Sequence, residues 1–193
     1  MLQAAFRSGL VACIDLEATC TDDIAQKPHY RNEIIEVGIA VLDMKTLQVA
    51  EVKQLYVRPT TTEVLSFCTQ LTGITPERVA DAPSFAQAMQ ELDSLIRKLR
   101  LEGMGVWGSF GEYDRKQFMR QCAAEGVANP MQTTRHLNVK AAAQMALQSR
   151  KGLGLNRAVE RLGLQFHGQH HSGVDDAVNV ANVLAAVTRK LLT

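Results

Sequence analysis

The chain has 193 residues, of which 46% are hydrophobic and 21% are charged, and 21 Lys and Arg residues nearly balance 20 Asp and Glu residues. A domain of this length buries roughly 70% of its unfolded surface, so its core needs neither disulfides nor a structural metal. The apolar content and mixed charge exclude a disordered chain. No stretch lacking Asp, Glu, Lys and Arg exceeds thirteen residues, which excludes a membrane-spanning helix.

The cysteines and the first residues bear on the compartment. Four cysteines are scattered without a Cys-x-x-Cys pair: Cys13, Cys20, Cys68 and Cys122. The apolar run at 9–14 is too short for a signal peptide and leads directly into Asp15. We therefore expect free thiols, a cytoplasmic protein and no zinc site. Because the chain shows no repeat or linker, we also expect one domain over residues 1–193.

The first third of the chain predicts three strands. Residues 10–15 form a short apolar run of β-forming side chains, and residues 33–43 and 49–57 are further strand candidates. Only residues 44–48 separate the second and third candidates, which favours an antiparallel hairpin.

After Pro59 the pattern becomes helical. Apolar residues recur at steps of three and four over 84–99, with Ser84 as a plausible N-cap. The remaining elements alternate strand candidates at 104–107 and 133–139 with helices at 112–125, 141–148, 155–162 and 176–191. Gly126 is expected to end the first of these helices. This order predicts one α/β layer structure, a mixed sheet covered by helices.

Two carboxylates come at the end of the first strand candidate. Asp15 and Glu17 are two residues apart, so in an extended chain they point to the same side. Hard divalent cations such as Mg²⁺ and Mn²⁺ prefer several such oxygens. A strand end meeting solvent would explain the pair equally well.

Asp114 follows the fourth strand candidate. Ligand sites gather at such strand ends in α/β sheets. An acid in the first turn of a helix, favoured by the helix dipole, is the alternative explanation.

The densest polar cluster precedes the last helix and contains His170, His171, Asp175 and Asp176. One of the acids could be the N-cap of that helix, but a cap does not explain two histidines. A histidine five residues before an aspartate can place an imidazole beside a carboxylate. Imidazole titrates near neutral pH, which suits proton abstraction from water.

Taken together, the clusters predict a metal site. Asp15, Glu17, Asp114 and Asp176 would meet on one side of the sheet, and four such carboxylates repel one another unless cations lie between them. Two metal ions roughly 3.5–4 Å apart would relieve the repulsion and could stabilise the attacking and leaving oxygens of a phosphodiester.

These residues, in this order, resemble the DEDDh 3′→5′ exonucleases, a family named after four acids and one histidine. The matching motifs are Asp15-Leu-Glu17-Ala-Thr-Cys, then Asp114, then His171-Ser-Gly-Val-Asp-Asp176. The resemblance runs from about Leu10 to Leu191. It points to the branch of histone-mRNA and small-RNA exonucleases through the segments NEIIE at 32–36, FCTQLTGI at 67–74, LGL at 162–164 and HSGVDDAVNVA at 171–181.

His170 and Asp175 have the same five-residue spacing as His171 and Asp176. The family pattern places a glycine two residues after the catalytic histidine and the metal ligand second in Asp-Asp-Ala, which selects His171 and Asp176. His170 and Asp175 are then supporting residues, with Asp175 as a candidate N-cap.

The resemblance implies an RNase H-like fold, a five-stranded mixed sheet whose first three strands form an antiparallel meander, with helices on both faces. It also implies two Mg²⁺ or Mn²⁺ ions held by Asp15, Glu17, Asp114 and Asp176. His171 would take a proton from the attacking water. The expected product is a nucleoside 5′-monophosphate released from single-stranded 3′ ends, with RNA favoured over DNA. No protein partner can be inferred.

The resemblance places the terminal nucleotide against the first motif, at Leu16, Ala18 and Thr19. Bases stack on aromatic and apolar faces, and the candidates are Phe67, Leu71, Ile74 and Tyr113, for which ordinary core packing is the alternative. Four basic residues are a candidate phosphate-contacting patch or a solvated helix face: Arg150, Lys151, Arg157 and Arg161.

Three other functions remain open at this point. The first is a catalytically weak nucleic-acid-binding module, against which the five intact catalytic side chains argue. The second is a metal-dependent endonuclease of the wider RNase H-like group. The third is a small-molecule phosphodiesterase on the same fold.

Overall fold

The computed structural model describes residues 5, 9–25, 30–101, 105–149 and 152–192. Its sheet has five strands in the order β3-β2-β1-β4-β5. The bounds are β1 Leu10–Ala18, β2 Ile34–Asp43, β3 Gln48–Tyr56, β4 Val106–Ser109 and β5 Arg135–Asn138. Strands β1, β2 and β3 pair antiparallel, and β4 runs parallel to both β1 and β5. The predicted mixed sheet and its antiparallel meander are confirmed.

Seven helices lie wholly within the described residues. They are α1 Ser66–Thr72, α2 Pro76–Ala80, α3 Phe85–Lys98, α4 Tyr113–Glu125, α5 Val139–Ala146, α6 Leu155–Arg161 and α7 Gly173–Leu192. Ser84 caps α3 in a reciprocal capping box with Gln87. Gly126 ends α4 in the left-handed conformation, which glycine adopts without a steric penalty. Both boundary residues match the prediction.

The alternation of side chains along β1 divides the core into two layers. Val11 and Cys13 face one side, where they pack with β2, α5, α6 and α7. Ala12, Ile14 and Leu16 face the other side, where they pack with α3 and α4. Helices therefore cover both faces, as expected. Asp15 and Glu17 continue the first series, so their carboxylates face the layer that contains α7.

Several predicted boundaries need correction. β1 extends to Ala18 because its pairing with β2 continues through Glu17 opposite Glu36 to Ala18 opposite Ile34. α7 begins at Gly173 and not at Asp176, so Asp176 lies inside the first turn. Asp175 is therefore not an N-cap; its carboxylate accepts the N–H of Gln169 at 2.9 Å. β4 was predicted from residue 104, which lies outside the described residues, and in the structure it extends to Ser109.

None of the helices in the described segments combines the length and the apolar character that crossing a bilayer requires.

Candidate active site

The site begins with the pairing of β1 and β2. In the antiparallel register Asp15 lies opposite Gly38, and Glu17 lies opposite Glu36. Opposite residues project to the same face, so three carboxylates and one vacant Cβ position share a small area of the sheet. Glu17 and Glu36 are buried and Asp15 is half-buried.

Gly38 lets the first turn of α7 contact the sheet backbone. A Cβ at Gly38 would lie 2.0 Å from the carbonyl carbon and oxygen of Gly173, a separation that real Cβ contacts essentially never show. This close approach brings Asp176 to the acids of β1. One carboxylate oxygen from each of Asp15, Glu17 and Asp176 lies within 4.8 Å of the others.

Asp114 comes from the first turn of α4 and is tied to β1. Its Oδ1 accepts the backbone N–H of Leu16 at 3.1 Å, and Leu16 lies between Asp15 and Glu17 in sequence. Asp114 is buried and its charge acts on Asp15. The structure thus brings all four predicted acids together, two from β1 and one each from the first turns of α4 and α7.

The acids strongly disfavour one another's charge. Burial raises the pKa of Asp15 well above its usual value, and the charges of Asp114, Glu17, Asp176 and Glu36 raise it further. Burial, followed by the charges of Glu36, Asp176 and Asp114, raises the pKa of Glu17 to about 9. Burial also raises the pKa of Asp114 to about 6, although hydrogen bonds from Leu16 and Ser109 favour its charged form.

This electrostatic arrangement fits divalent metal ions. Every cause acting on the pKa of Asp15 and Glu17 is burial or a neighbouring acid, so in the described part of the chain no basic group compensates them. Clustered carboxylate oxygens are the ligands that Mg²⁺ and Mn²⁺ prefer. Asp15, Glu17 and Asp176 have the donor atoms and the mutual distances of such a site.

Both histidines of the third motif lie beside Asp176. The Nδ1 of His170 lies 3.1 Å from Oδ2 of Asp176, and the backbone N–H of His171 donates to the same oxygen at 3.0 Å. The two imidazoles stack at 4.0 Å between ring centroids. Within the described segments the ring of His171 makes no hydrogen bond, whereas that of His170 is engaged. Burial, together with the charge of His170, lowers the pKa of His171, so its ring is neutral near pH 7.

His171 has a φ of 65°, which is uncommon for a residue with a side chain. Such backbone conformations cost of order 1 kcal/mol and persist where the surrounding structure enforces them. Here the turn at 168–172 is held by hydrogen bonds from Gln169 to Asp175 and from His171 to Asp176. The fold therefore sets the position of His171 through its backbone.

The predicted substrate-contacting residues fall into two groups. Phe67 is half-buried, while Leu71 and Tyr113 are exposed, so all three offer apolar surface. Tyr113 begins α4 and directly precedes Asp114, so it lies close to the acids. Ile74 is buried in a core cluster with Ile35 and offers little surface.

Leu16, Ala18 and Thr19 are buried at the end of the first motif. The polar groups of Thr19 are all engaged within the protein. Its N–H donates to Glu33, its carbonyl accepts from Asn32, and its hydroxyl bonds Thr62 and the N–H of Glu33. Thr19 therefore helps to hold this loop, and its contact with substrate stays a prediction.

The candidate basic patch is only partly visible. Arg150 and Lys151 lie outside the described residues. Arg157 is exposed, and the guanidinium of Arg161 donates to the carbonyl of Leu147 at 2.9 Å.

Sequence reasoning did not assign a role to Glu36, although it noted the segment around it. Both of its oxygens accept backbone N–H groups from the start of α7. The residues are 137 and 138 positions apart, so no local sequence signal reveals this contact. Gly38, two residues further on, was missed for the same reason.

Comparisons with known proteins show the family and the fold. The sequence pattern of the exonuclease family RNase_T matches residues 12–184. Human "3'-5' exoribonuclease 1" is 30% identical over 181 residues, which cover 90% of this chain and 50% of that protein. The chain therefore spans about half the length of this relative.

Two solved structures share the fold. One is the nuclease domain of 3'hExo, described as a DEDDh family member bound to rAMP, with a TM-score of 0.85, 26% identity, and coverage of 94% of this chain and 92% of that one. The other shows recognition of the histone mRNA stem-loop by a 3'-exonuclease, with a TM-score of 0.84, 28% identity, and coverage of 94% and 63%. Family pattern, fold and ordered acids agree, and the chain belongs to the DEDDh exonuclease family.

Proposed function

We propose that the chain is a metal-dependent 3′→5′ exonuclease that releases nucleoside 5′-monophosphates from single-stranded 3′ ends. The observation that carries this proposal is the convergence of Asp15, Glu17 and Asp176, with Asp114 tied to the same strand, beside a neutral His171. A binding module has no need for buried acids that repel one another at the cost of stability.

Asp15, Glu17, Asp114 and Asp176 would hold two Mg²⁺ or Mn²⁺ ions. Bound there, the ions would supply positive charge for the attacking and leaving oxygens of the phosphodiester. The chain's own residues do the rest of the work. The N–H of Leu16 holds Asp114, and the first turn of α7 delivers Asp176.

His171 acts as the general base in this proposal. Burial lowers the pKa of its ring, which is therefore neutral near pH 7. Among the described residues its ring nitrogens make no hydrogen bond, and only its backbone N–H contacts Asp176. It can therefore accept the proton of the attacking water. His170 is less suited to this role because its Nδ1 already contacts Asp176.

The preference for RNA rests on the relatives. The human relative is named an exoribonuclease, and the similar nuclease domain was solved with rAMP. Bases would pack on Phe67, Leu71 and Tyr113, which offer accessible apolar surface. We also propose that residues 1–193 act as a single exonuclease domain. The four cysteines are free, in keeping with the predicted cytoplasmic location.

The test is degradation of 5′-labelled single-stranded RNA and DNA of the same sequence, with Mg²⁺, with Mn²⁺ and with EDTA. We expect a ladder that shortens from the 3′ end only with metal, and faster loss of RNA. Asp15→Asn is the control, because it keeps the side-chain shape and removes a charge from the centre of the acid cluster. Intact oligomers with folded wild-type protein under every metal condition would contradict the proposal, and cleavage of a small phosphodiester would then select the phosphodiesterase.

A further inference from the structure

Glu36 has an unusual set of partners for a buried acid beside a metal-binding cluster. Its Oε2 accepts the N–H of Gly173 at 3.1 Å, and its Oε1 accepts the N–H of Val174 at 2.9 Å. The side-chain amide of Gln54 donates to Oε1 at 2.8 Å. One carboxylate that is 1% exposed thus accepts all three hydrogen bonds.

Through these contacts a side chain of strand β2 caps the N-terminus of α7. The first N–H groups of a helix have no partner within the helix, and a negative charge there interacts favourably with the helix dipole. Most helices are capped by a side chain from their own preceding turn. In α7 the cap is Glu36, which is 137 residues away from Gly173.

The cap and the glycine contact define how α7 sits on β2. Gly38 lets Gly173 approach the sheet, and a Cβ at Gly173 would lie 3.1 Å from the carboxyl carbon of Glu36 and 3.3 Å from the carbonyl oxygen of Asp15. The start of α7 is thus enclosed by Glu36, Gly38 and the backbone of Asp15. Asp176 follows within the same turn, and its N–H donates to the carbonyl of Ser172 at 2.8 Å.

We propose that Glu36 is a positioning residue, which acts through the N-terminus of α7 to set where Asp176 and His171 lie relative to Asp15. This rests on the proposed function of the site. Glu36 binds no metal itself in this account, since it lies outside the group of ligand atoms formed by Asp15, Glu17 and Asp176. Its oxygens are directed at the backbone of the helix.

The test uses Glu36→Gln, which keeps the side-chain length but replaces one acceptor oxygen by an amide that cannot accept an N–H. We expect kcat on a 5′-labelled oligonucleotide to fall about ten- to a hundredfold, because a displacement of the order of 1 Å at a reacting group has an effect of this size. The KM should change little. The matched control is Ser84→Ala, which removes the cap of α3, a helix that contributes no residue to the acid cluster. Its kcat should stay at the wild-type value.

A double-mutant cycle that combines Glu36→Gln with His171→Ala separates positioning from general destabilisation. Residues that act as a unit lose less than the product of their single effects. We expect Glu36→Gln to slow the His171→Ala enzyme less than it slows the wild type. Equal slowing in both backgrounds, or a loss of kcat matched by Ser84→Ala, would overturn the proposal.

Amide hydrogen exchange tests the cap without relying on activity. The amides of Gly173 and Val174 should be protected in the wild type and exchange faster in Glu36→Gln, while the amides at the centre of α7 change little. Unchanged exchange at both residues would overturn the proposal even with an active enzyme. An inactive wild-type protein with the expected exchange pattern would instead refute the proposed function and leave the role of Glu36 in docking α7 supported.

Discussion

Replacing Gly38 by alanine adds one methyl group where α7 contacts β2. The added Cβ would lie 2.0 Å from the carbonyl atoms of Gly173 and 2.3 Å from the nitrogen of Val174, whereas ordinary contacts begin at 3.4 Å. The obstacle is backbone and not a flexible side chain, so α7 must move away by roughly 1.4 Å. This movement carries Asp176 and His171 away from Asp15.

The expected loss follows from that displacement. A shift of about 1 Å at reacting groups costs on the order of 10²-fold in rate. Overpacking of this kind costs about 1–3 kcal/mol of stability, which for a chain of this length corresponds to a fall of roughly 2–12 °C in Tm. We therefore expect the Gly38→Ala variant to fold, to have a lower Tm and to have a kcat about a hundredfold lower than the wild type.

The assay is single-stranded oligonucleotide degradation at saturating metal, well below the Tm of each variant. Gly154→Ala is the matched control, because Gly154 has a φ of −80° and an added Cβ meets nothing within 4 Å. It should keep the wild-type kcat. A Gly38→Ala enzyme with wild-type kcat, or an equal loss in Gly154→Ala, would refute the reasoning that α7 docking sets the site.

The remaining predictions concern the base, the metal and the substrate. His171→Ala should lower kcat about 10²–10⁴-fold with little change in Tm. Because burial lowers the pKa of His171, the kcat/KM of the wild type should stay constant as the pH is lowered to below 6.5. A decline in kcat/KM that starts above pH 6.5 would count against His171 as the base. Without metal, Tm should fall as pH rises from about 4.5 to 9, since the folded state raises the pKa of Glu17 from 4.5 to about 9 and so favours the protonated form. Mg²⁺ at a hundred times its Kd should add about 2.7 kcal/mol, roughly 5–10 °C in Tm, and calorimetry that shows no shift would argue against a metal site. Phe67→Ala should raise KM about five- to 150-fold, because stacking of a base contributes about 1–3 kcal/mol; an unchanged KM in oligonucleotide titrations would exclude Phe67 as a base contact.

Local patterns predict the elements and the acid cluster well, for physical reasons. Burial on one face imposes a period on α3, and the turn chemistry of Ser84 and Gly126 marks two helix ends. Asp15 and Glu17 lie on one face because strand geometry demands it. These properties depend on residues close together in the sequence.

What the sequence did not predict depends on contacts between distant segments. The start of α7 at Gly173 is set by Glu36 and Gly38 on β2, so a search for a local cap pointed wrongly to Asp175. Thr19, which is predicted to contact a ribose, also bonds Glu33, Asn32 and Thr62, and no local pattern reveals these contacts. Whether a polar group is free or engaged is a property of the folded chain.

The central claim is that the acid cluster removes one nucleotide at a time from a 3′ end. An oligonucleotide with a single ³²P-labelled phosphate between its last two nucleotides tests it in one step. We predict that the first label released by the wild type is a nucleoside 5′-monophosphate, that release needs Mg²⁺ or Mn²⁺, and that Asp15→Asn abolishes it. Label released first in longer fragments would show an endonuclease. Label that stays in the intact oligonucleotide, with folded protein and metal present, would contradict the account.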